Sequence, residues 1–142
     1  MPEIRELTKE YAEELAAIEK LCFTDAWSCE SFIGCFNSSF VKVFGAFEDE
    51  SLAGYIVAKN VLGEGELLNI CILPEYRRNG LATALFEASG LNELDKVFLE
   101  VRVSNEPAKN MYKKLGFKEI GIRANYYQDN SEDSIIMELE RG

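Results

Sequence analysis

An apolar stretch at residues 67–73, closed by Pro74, constrains the fold more than any other feature of the sequence. Apart from Asn69 every residue in the stretch is hydrophobic, so apolar and polar side chains do not alternate along it. Such a run is typical of a central strand that is covered on both faces. Proline ends the strand because it has no N–H to donate to a sheet.

The segments before this strand change from a helical to a strand-like hydrophobic period. Residues 4–7 are predicted to form a short strand, and Thr8 and Ser28 are candidate N-caps of two helices. Residues 40–47 and 52–61 are strand-like and flank a turn-rich tetrapeptide, which predicts a hairpin. The apolar face of the first helix is expected to contain Tyr11, Leu15, Ile18 and Cys22.

The segments after the strand alternate between helix and strand. Residues 80–88 form a predicted helix with Leu81, Ala84, Leu85 and Ala88 inward, and residues 96–103 a strand. In that strand Val97, Leu99, Val101 and Val103 point one way, and Phe98, Glu100 and Arg102 the other. A helix then runs from Asn105 or Glu106 to Gly116, before a closing strand pair at 117–127 and 134–139. This order predicts one domain over residues 1–142, with a mixed sheet flanked by helices in the α/β or α+β class.

Composition excludes several classes of function. The 142 residues contain no histidine, which removes Ser-His-Asp and Cys-His catalysis and histidine-ligand zinc sites. The four cysteines match no zinc spacing, so we predict no metal and assign any acid–base chemistry to Glu, Asp, Tyr, Lys or Cys. No apolar run approaches the roughly 18 residues of a membrane span, and residues 1–8 lack a signal-peptide core, so we expect a cytoplasmic protein without a membrane partner.

The net charge of −10 bears on the choice of partner. An acidic surface repels nucleic acid phosphates, and we expect no direct nucleic acid binding. The charge either keeps the protein soluble or attracts a basic polypeptide substrate, and the sequence leaves both interpretations open.

Residues 77–82, Arg-Arg-Asn-Gly-Leu-Ala, form the most informative segment. They follow a buried strand and open a helix, whose first N–H groups and positive dipole end attract anions. Gly80 lets the backbone approach such an anion closely, and Arg77 and Arg78 add positive charge. The segment is neither a Walker loop nor a dinucleotide fingerprint, because the required residues are missing. A plain basic turn between strand and helix is the alternative.

This segment resembles the pyrophosphate loop of the GNAT acetyltransferases, Arg/Gln-x-x-Gly-x-Gly/Ala. Residues 69–72 resemble the strand that, in the family, splays from its neighbour and pairs with pantetheine. Residues 104–108 and 111–117 resemble the signature SN-x-x-A…Y-x-x-LGF. Residues 98–102 resemble LEVR, residues 26–28 PWS, residues 123–127 RRNYY and residues 134–137 DAIIM, all of the RimI-type ribosomal-protein alanine N-acetyltransferases. The chain departs from these patterns at Ala26, Ala124 and Ser134 and in a shorter link at 89–94.

The resemblance implies a GNAT-like fold, mixed and mostly antiparallel with a splayed strand pair, and acetyl-CoA as co-substrate. It assigns Glu100 as general base and Tyr112 as the acid that protonates the leaving thiolate. The acetyl-CoA residues it implies are Ile70, Cys71, Ile72, Arg77, Arg78, Asn79, Gly80, Leu81, Ala82, Thr83 and Asn105. The acceptor residues it implies are Trp27, Arg123, Asn125, Tyr126 and Tyr127.

Each assignment has an ordinary structural alternative. Glu100 could be a surface carboxylate paired with Arg102, Tyr112 a core residue and Asn105 a plain N-cap. Cys71 is discounted as a nucleophile, because it has no histidine partner and an apolar strand raises a thiol pKa. We therefore predict direct transfer in a ternary complex, in which the backbone N–H of Ile72 or a neighbour polarises the thioester carbonyl.

The predicted acceptor is the N-terminal α-amine of a protein or peptide, such as a basic ribosomal protein, with the enzyme a monomer or weak dimer. An α-amine has a pKa near 8, against about 10.4 for lysine. The free energy needed to deprotonate it is therefore about 3.3 kcal/mol lower. The alternatives are a GNAT enzyme acting on a small amine, an antibiotic or lysine, a non-catalytic acyl-CoA sensor, and a scaffold of this fold.

Overall fold

The computed structural model of the chain describes residues 3–23, 26–77, 80–127 and 132–140. Its strands are β1 (Glu3–Glu6), β2 (Val41–Glu48), β3 (Ser51–Val61), β4 (Glu64–Ile72), β5 (Lys96–Arg102), β6 (Lys118–Tyr127) and β7 (Glu132–Glu140). Its α-helices are α1 (Ala12–Cys22), α2 (Cys29–Asn37), α3 (Leu81–Ser89) and α4 (Glu106–Lys114). Short 3₁₀ turns lie at Lys9–Tyr11, Pro74–Tyr76 and Leu91–Glu93.

The strands described in the structure form one sheet in the order β1-β2-β3-β4-β5-β7-β6. The β4–β5 pair is parallel, and the other neighbouring pairs are antiparallel. Helix α3 lies between β4 and β5 in the chain, as the crossover of a parallel pair requires. The predicted fold class, a mixed and mostly antiparallel sheet flanked by helices, is confirmed.

The parallel pair is short and then separates. Its register runs from Glu64 opposite Lys96 to Glu66 opposite Phe98, whereas β4 continues to Ile72 and β5 to Arg102. A β-bulge follows at once in β4, because Val57 of β3 pairs with Asn69 and Ala58 with Leu67, so Leu68 is the extra residue. A bulge bends its strand, and here it coincides with the start of the splay.

Local sequence signals account for most helix ends and turns. The Ser28 hydroxyl accepts a hydrogen bond from the Ser31 N–H at 3.1 Å, so the predicted N-cap of α2 is confirmed. Thr8 instead precedes a 3₁₀ turn, and its hydroxyl donates to Glu10. Gly116 ends α4 with φ of 107°, a conformation that glycine adopts without the steric cost of a Cβ.

Two hydrophobic clusters cover the two faces of the sheet. Helices α1 and α2 pack on one face, where Leu15 and Phe32 are fully buried against Val43, Tyr55 and Val57. Helices α3 and α4 pack on the other, against the inward side chains of β5. No helix in the described part of the chain is both long and apolar enough to cross a membrane.

Two inward positions were predicted wrongly from periodicity. Val103 is partly exposed, because β5 ends at Arg102 and the strand alternation no longer applies. In α3 the predicted Leu81 and Leu85 are buried, but the third buried side chain is that of Phe86, whereas Ala88 is exposed. The larger side chain occupies the interface with the sheet, where its burial removes more apolar area from water.

At Gly54, β3 lies close to the part of β4 that has separated from β5. A Cβ at this position would lie 2.7 Å from the Cys71 carbonyl oxygen and 2.8 Å from Ile72 Cδ1. Backbone atoms cannot move aside as the end of a flexible side chain can. Gly54→Ala is therefore expected to lower the free energy of unfolding by about 1–3 kcal/mol in urea titrations.

The matched control is Gly34→Ala inside α2, where a Cβ would have no neighbour within 4 Å. This change is expected to raise stability by about 0.5–1 kcal/mol, because alanine loses less backbone entropy than glycine on entering a helix. Equal effects of the two substitutions would contradict the tight β3–β4 contact.

Candidate active site

The opening between β4 and β5 exposes one backbone edge of β4. The Leu73 N–H donates to the Ala53 carbonyl at 2.9 Å, so that residue points its hydrogen-bonding groups toward β3. Successive residues of a strand point these groups to alternate sides, so the N–H groups of Ile70 and Ile72 point away from β3 and into the opening. The β4 backbone therefore presents donors to a ligand lying between the strands.

The N-terminus of α3 lies a short way along the chain from this edge. The first helical bond of α3 runs from the Ala84 N–H to the Gly80 carbonyl, so the N–H groups of Leu81, Ala82 and Thr83 precede the hydrogen-bonded turns. Gly80 has φ of 77°, and a Cβ there would meet nothing within 4 Å. The space over this turn is open, which suits close approach of an anion.

Arg77 connects the turn to the open edge of β4. Its Nε donates to the Ile72 carbonyl at 2.8 Å, so the side chain holds the end of the strand that carries the donors. The predicted cofactor residues Arg78 and Asn79 lie outside the described residues.

Glu100 lies on β5 beside the opening, on the face opposite the buried Val97, Leu99 and Val101. The Ser134 hydroxyl donates to its Oε2 at 2.8 Å, and Arg123 Nη2 lies 3.1 Å from its Oε1. Its side chain is 20% exposed. These two partners come from β7 and β6, whereas the sequence alone had suggested Arg102 of the same strand as the partner of Glu100.

Glu100 forms part of the wall of a cavity of about 450 Å³. The cavity combines apolar walls with charged side chains, including Lys59, Glu66, Phe98, Glu100, Arg123 and Ile136. The cavity is therefore able to receive a polar group with an apolar neighbour, and it brings the predicted base and the predicted acceptor residue Arg123 together.

Tyr112 lies on α4, on the other face of the sheet. It is 8% exposed and packs edge-on against Phe117, with ring centroids 6.1 Å apart. The same hydrophobic cluster contains Ile70 and Ile72 of β4 and Val101 of β5, so Tyr112 belongs to the core that both splayed strands share. Glu100 and Tyr112 thus lie on opposite faces of the sheet.

The remaining predicted residues divide into described and undescribed side chains. The Asn105 Oδ1 accepts from the Ala108 N–H at 3.3 Å, so this residue caps α4 whatever else it does. Trp27 lies between α1 and α2, with its ring centroid 5.3 Å from that of Phe32. The backbone of Asn125, Tyr126 and Tyr127 forms the end of β6, and their side chains lie outside the described part of the chain.

Cys71 is buried in β4 with its side chain among α1, α2 and β3. Burial, followed by a hydrogen bond with Cys22, raises the pKa of the Cys71 thiol well above its usual range. A thiol in this state is a poor nucleophile, because the thiolate is the reactive form. The raised pKa of the Cys71 thiol therefore disfavours an acyl-cysteine route, as the sequence predicts.

Sequence reasoning missed one cluster beside the opening. Glu19 of α1 is 1% exposed and accepts hydrogen bonds from Tyr55, Asn69 and Trp27. One sign was available: Glu19 falls on the apolar face of α1, four residues after Leu15 and three before Cys22. A charged residue on a helix's buried face requires partners.

The sequence pattern of the acetyltransferase (GNAT) family matches residues 3–117, which is most of the chain. The chain belongs to this family. It is therefore an N-acetyltransferase that uses acetyl-CoA, and the family predicted from the sequence is confirmed.

Similar proteins agree in sequence and in fold. A putative [ribosomal protein bS18]-alanine N-acetyltransferase of Bacillus subtilis is 37% identical over 139 residues, covering 94% of this chain and 92% of that protein. The ribosomal-protein-S18-alanine N-acetyltransferase of Escherichia coli superposes with a TM-score of 0.86 at 34% identity, over 99% of this chain and 94% of that one. Arabidopsis thaliana NAA60, solved with acetyl-CoA, has a TM-score of 0.84 at 21% identity over 99% and 98% of the chains, a likeness of fold alone.

The described residues of the acetyltransferase fit two parts of acetyl-CoA, the pyrophosphate and the pantetheine. The open N-terminus of α3 above Gly80 suits the pyrophosphate, and the Ile70 and Ile72 N–H groups suit the polar groups of pantetheine. Among the described residues, no cluster of three or more Cys, Asp or Glu side chains is placed to hold a metal ion.

Cys71→Ala separates direct transfer from an acyl-enzyme route. The thiol pKa is raised, so it is protonated at neutral pH, and its loss is expected to leave the turnover rate within a few-fold of the parent. The small buried void should cost about 1–2 kcal/mol of stability, to be read from urea unfolding. If the folded variant instead turns over about 10²-fold more slowly than the parent, Cys71 would return as the nucleophile.

Proposed function

We propose that the enzyme acetylates the N-terminal α-amine of a protein, most specifically a ribosomal protein of the bS18 type that begins with alanine. The observation that carries this proposal is the placement of Glu100, a carboxylate held by Ser134 and Arg123 in the wall of a cavity beside the β4–β5 opening. That cavity gives an acceptor chain a route to the opening from the face opposite α3 and α4.

The acceptor amine must lose a proton, and Glu100 is proposed to take it, directly or through one water. Bound acetyl-CoA supplies the activated acetyl group, whose carbonyl oxygen requires a hydrogen-bond donor and whose sulfur requires a proton on leaving. The Ile70 or Ile72 N–H is proposed to be the donor, since both point into the opening. Tyr112, which lies on the face of the sheet opposite Glu100, is proposed to donate a proton to the leaving sulfur.

The proposed cofactor site combines the β4 edge with the α3 N-terminus. Ile70, Cys71 and Ile72 form the edge, and Gly80, Leu81, Ala82 and Thr83 form the helix start. Arg77, Arg78 and Asn79 are proposed contacts on the strength of the sequence motif, and Asn105 is the proposed contact from the start of α4. The support is the orientation of the β4 donors and the open space over Gly80.

An α-amine suits a single carboxylate base better than a lysine does, because its pKa is about 2.4 units lower. The relatives named for ribosomal protein bS18 extend the proposal to an N-terminal alanine, with Trp27, Arg123, Asn125, Tyr126 and Tyr127 around it. The net charge of −10 favours a basic acceptor chain. The reaction is proposed to take place in the cytoplasm, on a monomer or weak dimer, without nucleic acid or membrane.

A peptide panel tests the acceptor class. Peptides with free N-terminal Ala, Ser, Met or Gly, an N-terminally blocked peptide with internal lysines, and a small diamine are incubated with acetyl-CoA, and products are located by mass spectrometry. We expect acetyl groups on α-amines, with alanine preferred. A matched pair with basic or acidic residues after the alanine should favour the basic peptide, and salt should reduce the difference, because added ions screen the attraction.

Faster modification of the blocked peptide or of the diamine would move the enzyme to the lysine or small-amine class. Tight acetyl-CoA binding with no product from any amine would favour the sensor alternative.

Glu100→Gln tests the proposed base. It keeps the shape and removes the charge, so turnover of the preferred peptide should fall by roughly 10²- to 10⁴-fold at neutral pH. Part of the rate should return as the pH rises past the pKa of the amine, near 8, because the amine then arrives neutral. Glu66→Gln removes the same charge from the same cavity and should leave the profile unchanged.

Tyr112→Phe provides a second comparison, because it deletes the hydroxyl and little volume. Its turnover should fall without the recovery at high pH, while acetyl-CoA affinity stays close to that of the parent. A Glu100→Gln enzyme that matches the parent at every pH would reduce Glu100 to a partner of Arg123.

A further inference from the structure

Glu19 is the most deeply buried carboxylate among the described side chains, with 1% of its surface exposed. A buried charge is costly unless hydrogen bonds replace its hydration. Here Oε1 accepts from the Tyr55 hydroxyl and from Asn69 Nδ2, each at 2.5 Å, and Oε2 accepts from the Trp27 N–H at 3.0 Å. The described partners are thus neutral donors, so the carboxylate is solvated by the protein.

The three donors belong to parts of the chain that are far apart in sequence. Tyr55 lies in the middle of β3, and Asn69 is the residue of β4 that directly follows the bulge at Leu68. Trp27 lies in the link between α1 and α2, and its ring packs on Phe32, which in turn packs edge-on against Tyr55. Glu19 therefore ties helix α1 to the bulge and to residues 26–28 of the link, here called the Trp27 segment.

One of these attachments lies beside the proposed acetyl-CoA site and the other beside the proposed acceptor site. The bulge bends β4 where it leaves β5, and the residues that follow it carry the Ile70 and Ile72 N–H groups. Trp27 is a proposed acceptor-binding residue. A shift of either by about 1 Å would misalign acetyl group and amine, and misplacement of that size can cost on the order of 10²-fold in rate.

We propose that Glu19 is a positioning residue. It fixes the β4 bulge and the Trp27 segment relative to each other, and so aligns the thioester with the acceptor amine. The proposal rests on the proposed function for the acceptor side, and on family membership alone for the acetyl-CoA side. Tyr55 donates to the same carboxylate from the middle of β3, which is neither the bulge nor the link that carries Trp27, so its hydroxyl is expected to act on stability alone.

The test compares Glu19→Leu, Asn69→Leu and Tyr55→Phe. Glu19→Leu removes every acceptor, Asn69→Leu detaches the bulge alone, and Tyr55→Phe removes one donor without altering either attachment. Because Trp27 is the single tryptophan of the chain, its fluorescence reports on its own segment. Three further measurements are made on every variant. Acetyl-CoA affinity is measured by calorimetry, and kcat and KM are measured with the preferred α-amine peptide. The melting temperature is measured by thermal unfolding.

The expected pattern differs for each variant. Glu19→Leu and Asn69→Leu should both weaken acetyl-CoA binding severalfold and slow turnover by roughly 10- to 100-fold. Only Glu19→Leu should also raise the peptide KM and red-shift the Trp27 emission, because only Glu19 holds that segment. Tyr55→Phe should lower the melting temperature alone. Glu19→Gln should recover part of the loss, since its amide oxygen still accepts from the Trp27 N–H.

If Glu19→Leu and Asn69→Leu melt earlier but keep acetyl-CoA affinity, kcat and KM close to those of Tyr55→Phe, the network is only stabilising and the proposal is wrong. Should Glu19→Leu fail to fold, Asn69→Leu decides, because it leaves the carboxylate with two donors. If the parent acetylates no peptide, the proposed function fails, while acetyl-CoA affinity and Trp27 emission still decide the positioning role.

Discussion

The separation of β4 from β5 is the constraint on which the rest of the site depends. The two strands pair over Glu64–Glu66 and Lys96–Phe98 and then diverge, and the bulge at Leu68 lies where the separation begins. A fully paired sheet would use the Ile70 and Ile72 N–H groups in its own ladder and would leave no gap for a ligand. The structure leaves these donors facing the gap and stabilises the separated strands by burying their side chains in the two cores.

The opening divides the chemistry between the faces of the sheet. Helices α3 and α4 cover the face that holds Tyr112 and the start of α3, while Glu100 and the cavity lie on the other. Strand alternation makes this division unavoidable, because Glu100 sits between Leu99 and Val101, whose side chains point into the α3–α4 core. A donor cofactor and an acceptor amine are thus able to approach the same gap without competing for space.

Polar side chains near the opening are held by partners from distant elements. Glu100 of β5 is fixed by Ser134 of β7 and Arg123 of β6, and Glu19 of α1 by residues of β3, β4 and the α1–α2 link. Such contacts hold a carboxylate in one orientation, which a functional group needs more than it needs exposure. They also connect stability to geometry, since removing one partner leaves a polar group unsatisfied in or near the core.

The sequence by itself determined the local structure and the family. The apolar run at 67–73, the N-cap at Ser28, the alternation through β5 and the stops at Pro74 and Gly116 follow from short-range rules, and the residues around Gly80 and Tyr112 carried the family resemblance. Only the tertiary structure decided the strand order, the register that places Ser134 and Arg123 on Glu100, and the burial of Glu19. The reason is physical: a hydrophobic period reports which face of an element is buried, whereas pairing between elements 30 or more residues apart depends on packing of the whole chain.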